Sequence, residues 1–258
     1  MNYTFFKYQG TGNDFVMIDN RDKSFPKDNA KLVKHFCDRR FGIGADGLIL
    51  LEDDEASDFR MIYFNADGNP GSMCGNGGRC AVAFANFLGI IKDKTTFMAV
   101  DGLHQAEINK SQVRLYMQDV SEIREKPQAV FLDTGSPHHI QLVEGLEDFD
   151  VFKEGQRLRY TIYGESGSNI NFVEQQSKDV FAVRTYERGV EDETLSCGTG
   201  VTAVALAMHK SGKTKNNQVT VKTRGGDLHV AFVNGGGTYT SIYLEGPAEQ
   251  VYKGQISW

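Results

Sequence analysis

The chain has 258 residues, 40% hydrophobic and 24% charged, with a net charge of −6 and a pI near 5.6. That length accommodates one large domain or two moderate ones, each with its own core. Basic residues do not cluster beyond pairs such as Arg39-Arg40, which argues against a nucleic-acid surface. No run approaches 18 apolar residues, and the opening segment MNYTFFKYQG lacks an apolar core, so neither a membrane span nor a signal peptide is expected. A cytoplasmic location is the expectation, where four cysteines stay reduced and do not form a disulfide scaffold.

In chain order, period-2 and β-rich runs predict strands over 3–8 and 15–18, and an amphipathic pattern predicts a helix over 28–38. Strands over 48–51 and 59–64 follow, then a helix beginning just after Cys74 and stopped by Gly89. After strands over 95–100 and 113–117, the charged stretch 119–127 reads as a linker. The second half offers strands over 129–133, 139–143, 170–174 and 180–186, and a helix after Cys197 stopped by Gly212. Strands over 218–223, 228–233 and 240–244 precede a final strand, 250–257, whose partner periodicity leaves open. Both cysteine-led helices are small or apolar nearly all round and should be buried. Each half therefore reads as a curled sheet around one helix, with domains over 1–118 and 119–247 and the end, 248–258, placed with the first or apart.

The two halves repeat one another. Cys74-Gly-Asn-Gly-Gly-Arg-Cys-Ala-Val-Ala and Cys197-Gly-Thr-Gly-Val-Thr-Ala-Val-Ala lie 123 residues apart, and the same ungapped shift places Thr11-Gly12 on Thr134-Gly135 and Gly89 on Gly212. The first turn of a helix presents unpaired N–H groups and a partial positive charge, which favours a thiolate. Glycines there let the backbone approach a ligand, so the same N–H groups can hold a carboxylate. If the halves face one another, two thiols can remove a proton from one face of a carbon and return one to the other. The plainer reading of one such cysteine is a small apolar filler, and Cys37 and Cys80 read that way. The matched pair argues against it for Cys74 and Cys197. Zinc is not supported, because no CxxC is present and the six histidines lie off ligand spacing. Near the cysteines, Asn65 follows a strand and Glu187-Arg188 ends another, offering a carboxylate for an ammonium and a planar fork for a carboxylate. Asn13, Asn169 and His138 sit in turn-like sequence and read equally as loop residues.

The segments Gly12-Asn-Asp-Phe-Val, Asp38-Arg-Arg-Phe-Gly-Ile-Gly-Ala-Asp-Gly, Phe64-Asn-Ala-Asp-Gly, Met73-Cys-Gly-Asn-Gly-Gly-Arg-Cys, Tyr186-Glu-Arg-Gly and Ser196-Cys-Gly-Thr-Gly together resemble the diaminopimelate epimerases, from one end of the chain to the other. The resemblance implies a mixed α+β fold of two pseudo-symmetric domains, each a β-barrel-like curled sheet around a central helix. It implies a homodimer without metal or organic cofactor that inverts one α-carbon of L,L-diaminopimelate to the meso form, on the route to lysine and peptidoglycan. By motif, Cys74 and Cys197 become the acid/base pair, and Gly75-Asn76 and Gly198-Thr199 the cradle of the reacting carboxylate. Glu187 would hold the α-ammonium, Glu187 and His138 would tune the thiols, and Asn13, Asn65, Asn169 and Arg188 would complete the substrate contacts. Two positions depart from the family pattern: Ser136 stands where many members have Asn, and Gly47 where others have Gln, which removes a substrate contact.

Three other readings remain at this point. A proline or hydroxyproline racemase-like enzyme shares the paired thiols but gives Arg188 and the asparagines no distal carboxylate to bind. A phenazine-biosynthesis-type isomerase shares the duplication without the paired cysteines. A two-lobed amino-acid-binding protein has no need of matched thiols.

Overall fold

Strand β1 (Asn2–Gly10) is buried on both faces. Tyr3 and Phe5 join a cluster with Phe36, while Phe6 and Tyr8 meet the ring of Phe84 on the opposite side. Such a strand has to lie between two layers, and it does. The computed structural model, which describes residues 2–258, divides into two units, one of residues 2–115 with Gly246–Trp258 and one of Tyr116–Glu245.

In the first unit, β1 pairs with β2 (Asn13–Asp19), which runs parallel to β3 (Gly47–Glu52). Then come β4 (Phe59–Asn65), antiparallel, β5 (Lys94–Ala99), parallel, and β6 (Gly102–Asn109) and β7 (Gln112–Tyr116), both antiparallel. Helix α1 (Ala30–Cys37) covers the outside, with Leu32, Val33, Phe36 and Cys37 packed on Tyr3, Val16 and Leu48. Helix α2 (Gly75–Phe87) lies inside, touching β1, β2, β3, β4 and β6. Its residues from Gly75 to Ala85 are all buried, and six of its thirteen residues are glycine or alanine, small side chains that let the sheet close around it beside the fully buried Arg79 and Phe84.

The second unit repeats this in the same strand order and with the same directions. It comprises β8 (Ile123–Lys126), β9 (Ala129–Asp133), β10 (Pro137–Leu142), β11 (Asn169–Ser177), β12 (Val180–Glu187), short β13 (Asp192–Thr194), β14 (Gln218–Thr223), β15 (Gly226–Gly235) and β16 (Thr238–Pro247). Strand β10 is parallel to β11 and β12 to β14, as β2 is to β3 and β4 to β5; the remaining neighbours, including β13 on β12, are antiparallel. Helix α3 (Val151–Tyr163) covers the outside through Val151 and Leu158 on Ile170, Phe172 and Tyr186. Helix α4 (Gly198–Lys210) is the buried centre, with Val201, Val204, Ala205 and Met208 in a core of β-strand residues. Each unit is thus a curled sheet around one helix, and the two are pseudo-symmetric.

The final strand β17 (Glu249–Ser257) pairs antiparallel with β1, from Asn2 opposite Ser257 to Gln9 opposite Glu249. It holds the place in the first unit that β8, paired with β9, holds in the second.

Several elements differ from the sequence expectation. The stretch read as a linker, 119–127, contains β8, whose charged residues are exposed because it is an outer strand. Helix α3 carries no clear signal, since Gly155, Tyr160, Thr161 and Ile162 are poor helix formers. Gly155 is required by packing: a Cβ there would lie 2.3 Å from Cβ of Tyr186. Strands β6 and β13 were also not anticipated. Both cysteine-led helices are expected to be buried, but Phe87 at the end of α2 is 54% exposed. Both helix stops are as expected, with Gly89 and Gly212 following the C-caps at φ of 72° and 69°.

Candidate active site

Cys74 is the N-cap of α2, in extended conformation (φ −113°, ψ 119°), and its side chain does not turn back to cap the helix. Its thiol instead donates to Oδ1 of Asn13 at the start of β2, over 3.6 Å. The orientation of that amide is fixed from behind, because Asn13 Nδ2 donates to Asp46 at 2.6 Å. Oδ1 also accepts from Asn76 Nδ2 at 3.4 Å, so Asn13, Cys74 and Asn76 meet at the helix start. Behind them Asp14 pairs with Lys7 and Arg39, and Arg39 also bridges to Asp46. Burial opposes the charge on Asp14, but Arg39 and Lys7 outweigh it and hold the carboxyl down to about 2. With the folded value below the unfolded one, this group supports folding above about pH 4, and the support is lost as pH falls toward 2. Asn65 is exposed at the end of β4, where its carbonyl accepts from Gly68 N.

Cys197 caps α4 in the same manner (φ −125°, ψ 111°), again without turning onto the helix. Its neighbours differ. Sγ lies 3.4 Å from the hydroxyl of Thr199, which lies 2.9 Å from Nε2 of His138, and the Thr199 carbonyl accepts from Thr134 Oγ1 at 2.8 Å. His138 is fully buried; burial first, and then the nearby Arg188 guanidinium, push its pKa down to about 3, so the imidazole is neutral at physiological pH. Asn169, pairing in register with His138, accepts the backbone N–H of Arg188 at 2.8 Å. Arg188 is exposed and donates to the Ser166 carbonyl at 2.9 Å, while Glu187 accepts from Thr194 Oγ1 at 2.9 Å. Within its own unit, each cysteine is therefore gathered with its expected neighbours: Asn13, Gly75 and Asn76 at Cys74, and His138, Gly198 and Thr199 at Cys197.

The two helix starts rest on different floors. A Cβ on Gly77 of α2 would meet Ile49 at 3.1 Å and Met61 at 3.3 Å, whereas one on Gly200, the matching residue of α4, would meet Asn171 Oδ1 at 2.6 Å and His138 Cε1 at 3.3 Å. The first floor is apolar and the second is polar. Asn171 and Thr185, both buried, were not singled out in the sequence. The available signal was a pair of asparagines at period two, 169 and 171, which places both on one face of β11. The two remaining thiols are core residues: burial raises both Cys37 and Cys80 to about 12. Among the described residues, no group of three or more His, Cys, Asp or Glu is placed to hold a metal ion.

Gly47 is explained by its surroundings. A Cβ there would lie 2.4 Å from the Tyr63 ring and 2.6 Å from the Phe64 carbonyl oxygen. Tyr63 fills the space that a longer residue would need. Gly47→Ala is expected to lower stability by about 1–3 kcal/mol through overpacking, and Gly47→Gln by at least as much. Urea denaturation measures this, and an unchanged midpoint would show that Tyr63 swings aside freely.

Comparison with known proteins agrees with this geometry. The family model described as diaminopimelate epimerase matches residues 5–123 and 130–251. A diaminopimelate epimerase of Flavobacterium psychrophilum is 58% identical over 253 residues, covering 97% of this chain and 99% of its own. One from Chlorobaculum tepidum is 46% identical, covering 96% and 99%. The fold is also shared with a phenazine biosynthesis protein of the PhzF family from Bacillus anthracis (TM-score 0.80, 14% identity, all of both chains). A hydroxyproline epimerase from Agrobacterium vitis aligns with a TM-score of 0.70 at 15% identity, covering 99% of this chain and 92% of that one.

Proposed function

The chain belongs to the diaminopimelate epimerase family, and from that premise we propose that it inverts one α-carbon of L,L-diaminopimelate to give the meso isomer, using Cys74 and Cys197 as acid and base. The observation that carries the reading is the recurrence, in both units, of a cysteine capping a buried helix while its side chain leaves the helix uncapped.

Hydrogen-bond polarity divides the work between the thiols. Cys74 faces an amide oxygen that can only accept, which favours the protonated thiol. Cys197 faces a hydroxyl that can donate, which favours the thiolate. Cys197 then takes the α-proton from one face as Cys74 delivers its own to the other. The carbon keeps its hydrogen count, and the enzyme is left with a thiol at 197 and a thiolate at 74, ready for the reverse direction. As the α-carbanion forms, negative charge spreads onto the carboxylate, where first-turn N–H groups at Gly75-Asn76 and Gly198-Thr199 are suited to stabilise it. Glu187 would take the α-ammonium, and Asn65, Asn169 and the exposed Arg188 the distal end. Asn13 orients the Cys74 thiol and His138 supports the Thr199 hydroxyl. No step requires a cofactor. A homodimer and a cytoplasmic location complete the reading, on the route to lysine and peptidoglycan; no helix among the described residues is long and apolar enough to cross a membrane.

Incubation with L,L-diaminopimelate in D2O, followed by separation of stereoisomers, tests the proposal. Early product should carry deuterium at the inverted carbon while remaining substrate stays protiated; equal early labelling of both pools would indicate a single base. Arg188→Ala should cost about ten- to a hundred-fold in kcat/KM, as expected for loss of a charge-assisted contact, with Arg188→Lys recovering part. Ser136→Asn should alter affinity modestly. A wild-type protein that inverts proline as efficiently would support the racemase reading instead.

A further inference from the structure

The polar floor beneath Cys197 is an ordered chain of donors and acceptors. Asn171 Nδ2 donates to the His139 carbonyl at 3.0 Å, which fixes the orientation of the amide, since a carbonyl cannot donate. Oδ1 on the other side accepts from Thr185 Oγ1 at 2.9 Å. The same Nδ2 lies 3.1 Å from His138 Nδ1, so Nδ1 must be the acceptor and carry no proton. The single imidazole proton of neutral His138 therefore resides on Nε2 and is donated to Thr199 Oγ1 at 2.9 Å. A hydroxyl that accepts from the imidazole is left to donate its own hydrogen, and Cys197 Sγ is 3.4 Å away. A competing contact is weaker: Asn169 Nδ2 lies 3.5 Å from His138 Nε2 and has the Pro137 carbonyl at 3.3 Å as its acceptor.

We propose that Asn171 is a positioning residue that locks His138 as the Nε2–H tautomer, and thereby keeps the Thr199 hydroxyl turned as a donor toward Cys197. The helix above is shaped for this arrangement, because any side chain at residue 200 would strike Asn171 Oδ1. The first unit has no counterpart: Ile49 and Phe15 lie under the matching glycine. The device thus distinguishes two thiols that are otherwise alike in position. The inference rests on the proposed roles of the cysteines, but its test does not involve diaminopimelate.

Long-range 1H–15N spectra of the labelled full chain report imidazole tautomers directly, with the His138 signals assigned by their loss in His138→Gln. In the wild-type protein, His138 should show an unprotonated Nδ1 and a protonated Nε2 between about pH 6 and 8. Asn171→Leu should release the lock and give mixed tautomers. It should also slow iodoacetamide alkylation of Cys197 about three- to tenfold relative to Cys74, because the thiolate loses a donor. A protonated Nδ1 in the wild type overturns the proposal whatever the variant does. So does an Asn171→Leu protein of wild-type circular dichroism that keeps either the single tautomer or the Cys197 reactivity. Absence of epimerase activity, by contrast, would count against the proposed function alone.

Discussion

Cys74→Ala and Cys197→Ala are each expected to reduce inversion of L,L-diaminopimelate by at least about 10³-fold, since in the proposed mechanism each removes the group that moves a proton on its face of the carbon. The more telling result is what survives. With one thiol left, the enzyme should still remove a proton and return it to the same face. In D2O each variant should therefore label one stereoisomer without inverting it, and the two variants should label opposite isomers. Mass spectrometry of the separated isomers reads this out. If both variants labelled the same isomer, or either kept near-wild-type inversion, the assignment of one thiol to each face would be wrong. Neither substitution should unfold the chain, because Cys74 is partly exposed and neither side chain caps its helix.

Removal of residues 248–258 is expected to have the largest effect on stability. Strand β17 is mostly exposed itself, but it covers one edge of β1 over eight paired residues. Tyr252 packs edge-on against Phe5, with ring centroids 5.8 Å apart, and Lys253 sits over the Phe6 ring at 5.1 Å. Partial exposure of Tyr3, Phe5 and Phe6 should cost about 5 kcal/mol, taking roughly 1.5–3 kcal/mol for each aromatic side chain. The uncovered edge of a strand as apolar as β1 should also promote aggregation. Thermal denaturation and limited proteolysis of the shortened chain check this, with early cuts expected in the first unit. A wild-type melting temperature would show that β1 stands without its partner.

Much of the architecture was legible because it rests on strong local signals. Gly89 and Gly212 stop helices, and the repeated Cys-Gly-x-Gly marks where the buried helices begin. The cysteine neighbourhoods were legible through duplication and family motifs. What escaped was decided at a distance. Helix α3 is held by the surface it covers rather than by its own propensities, and its Gly155 makes sense only with Tyr186 against it. Strand β8 looks like a linker because an outer strand leaves its charges in water. Asn171 falls inside a predicted strand with nothing to mark it until β12 brings Thr185 opposite it and the neighbouring strand β10 brings His138 within reach. The difference between the two floors could not be read at all by aligning the cysteine segments, since it comes from preceding strands that carry Ile49 and Met61 in one unit and His138 and Asn171 in the other.

β17 beside β1 and β8 beside β9 are matching strand pairs of the two repeats. In the second unit, β8 and β9 form a hairpin in which Lys126 pairs with Ala129, so Pro127 and Gln128 make the turn. In the first unit the equivalent strands are β17 and β1, where Ser257 pairs with Asn2 and donates to its side chain at 2.8 Å, but no turn joins them. A circular permutant that links residue 257 to residue 2 through a short turn, and opens at Pro127-Gln128, would keep every strand pair described above. In that rearranged order the two cysteine segments would follow one another in the opposite sequence, with the same neighbours around each. Which repeat comes first is thus arbitrary as far as strand pairing is concerned, and the distinction between the two thiols lies in the side chains beneath them.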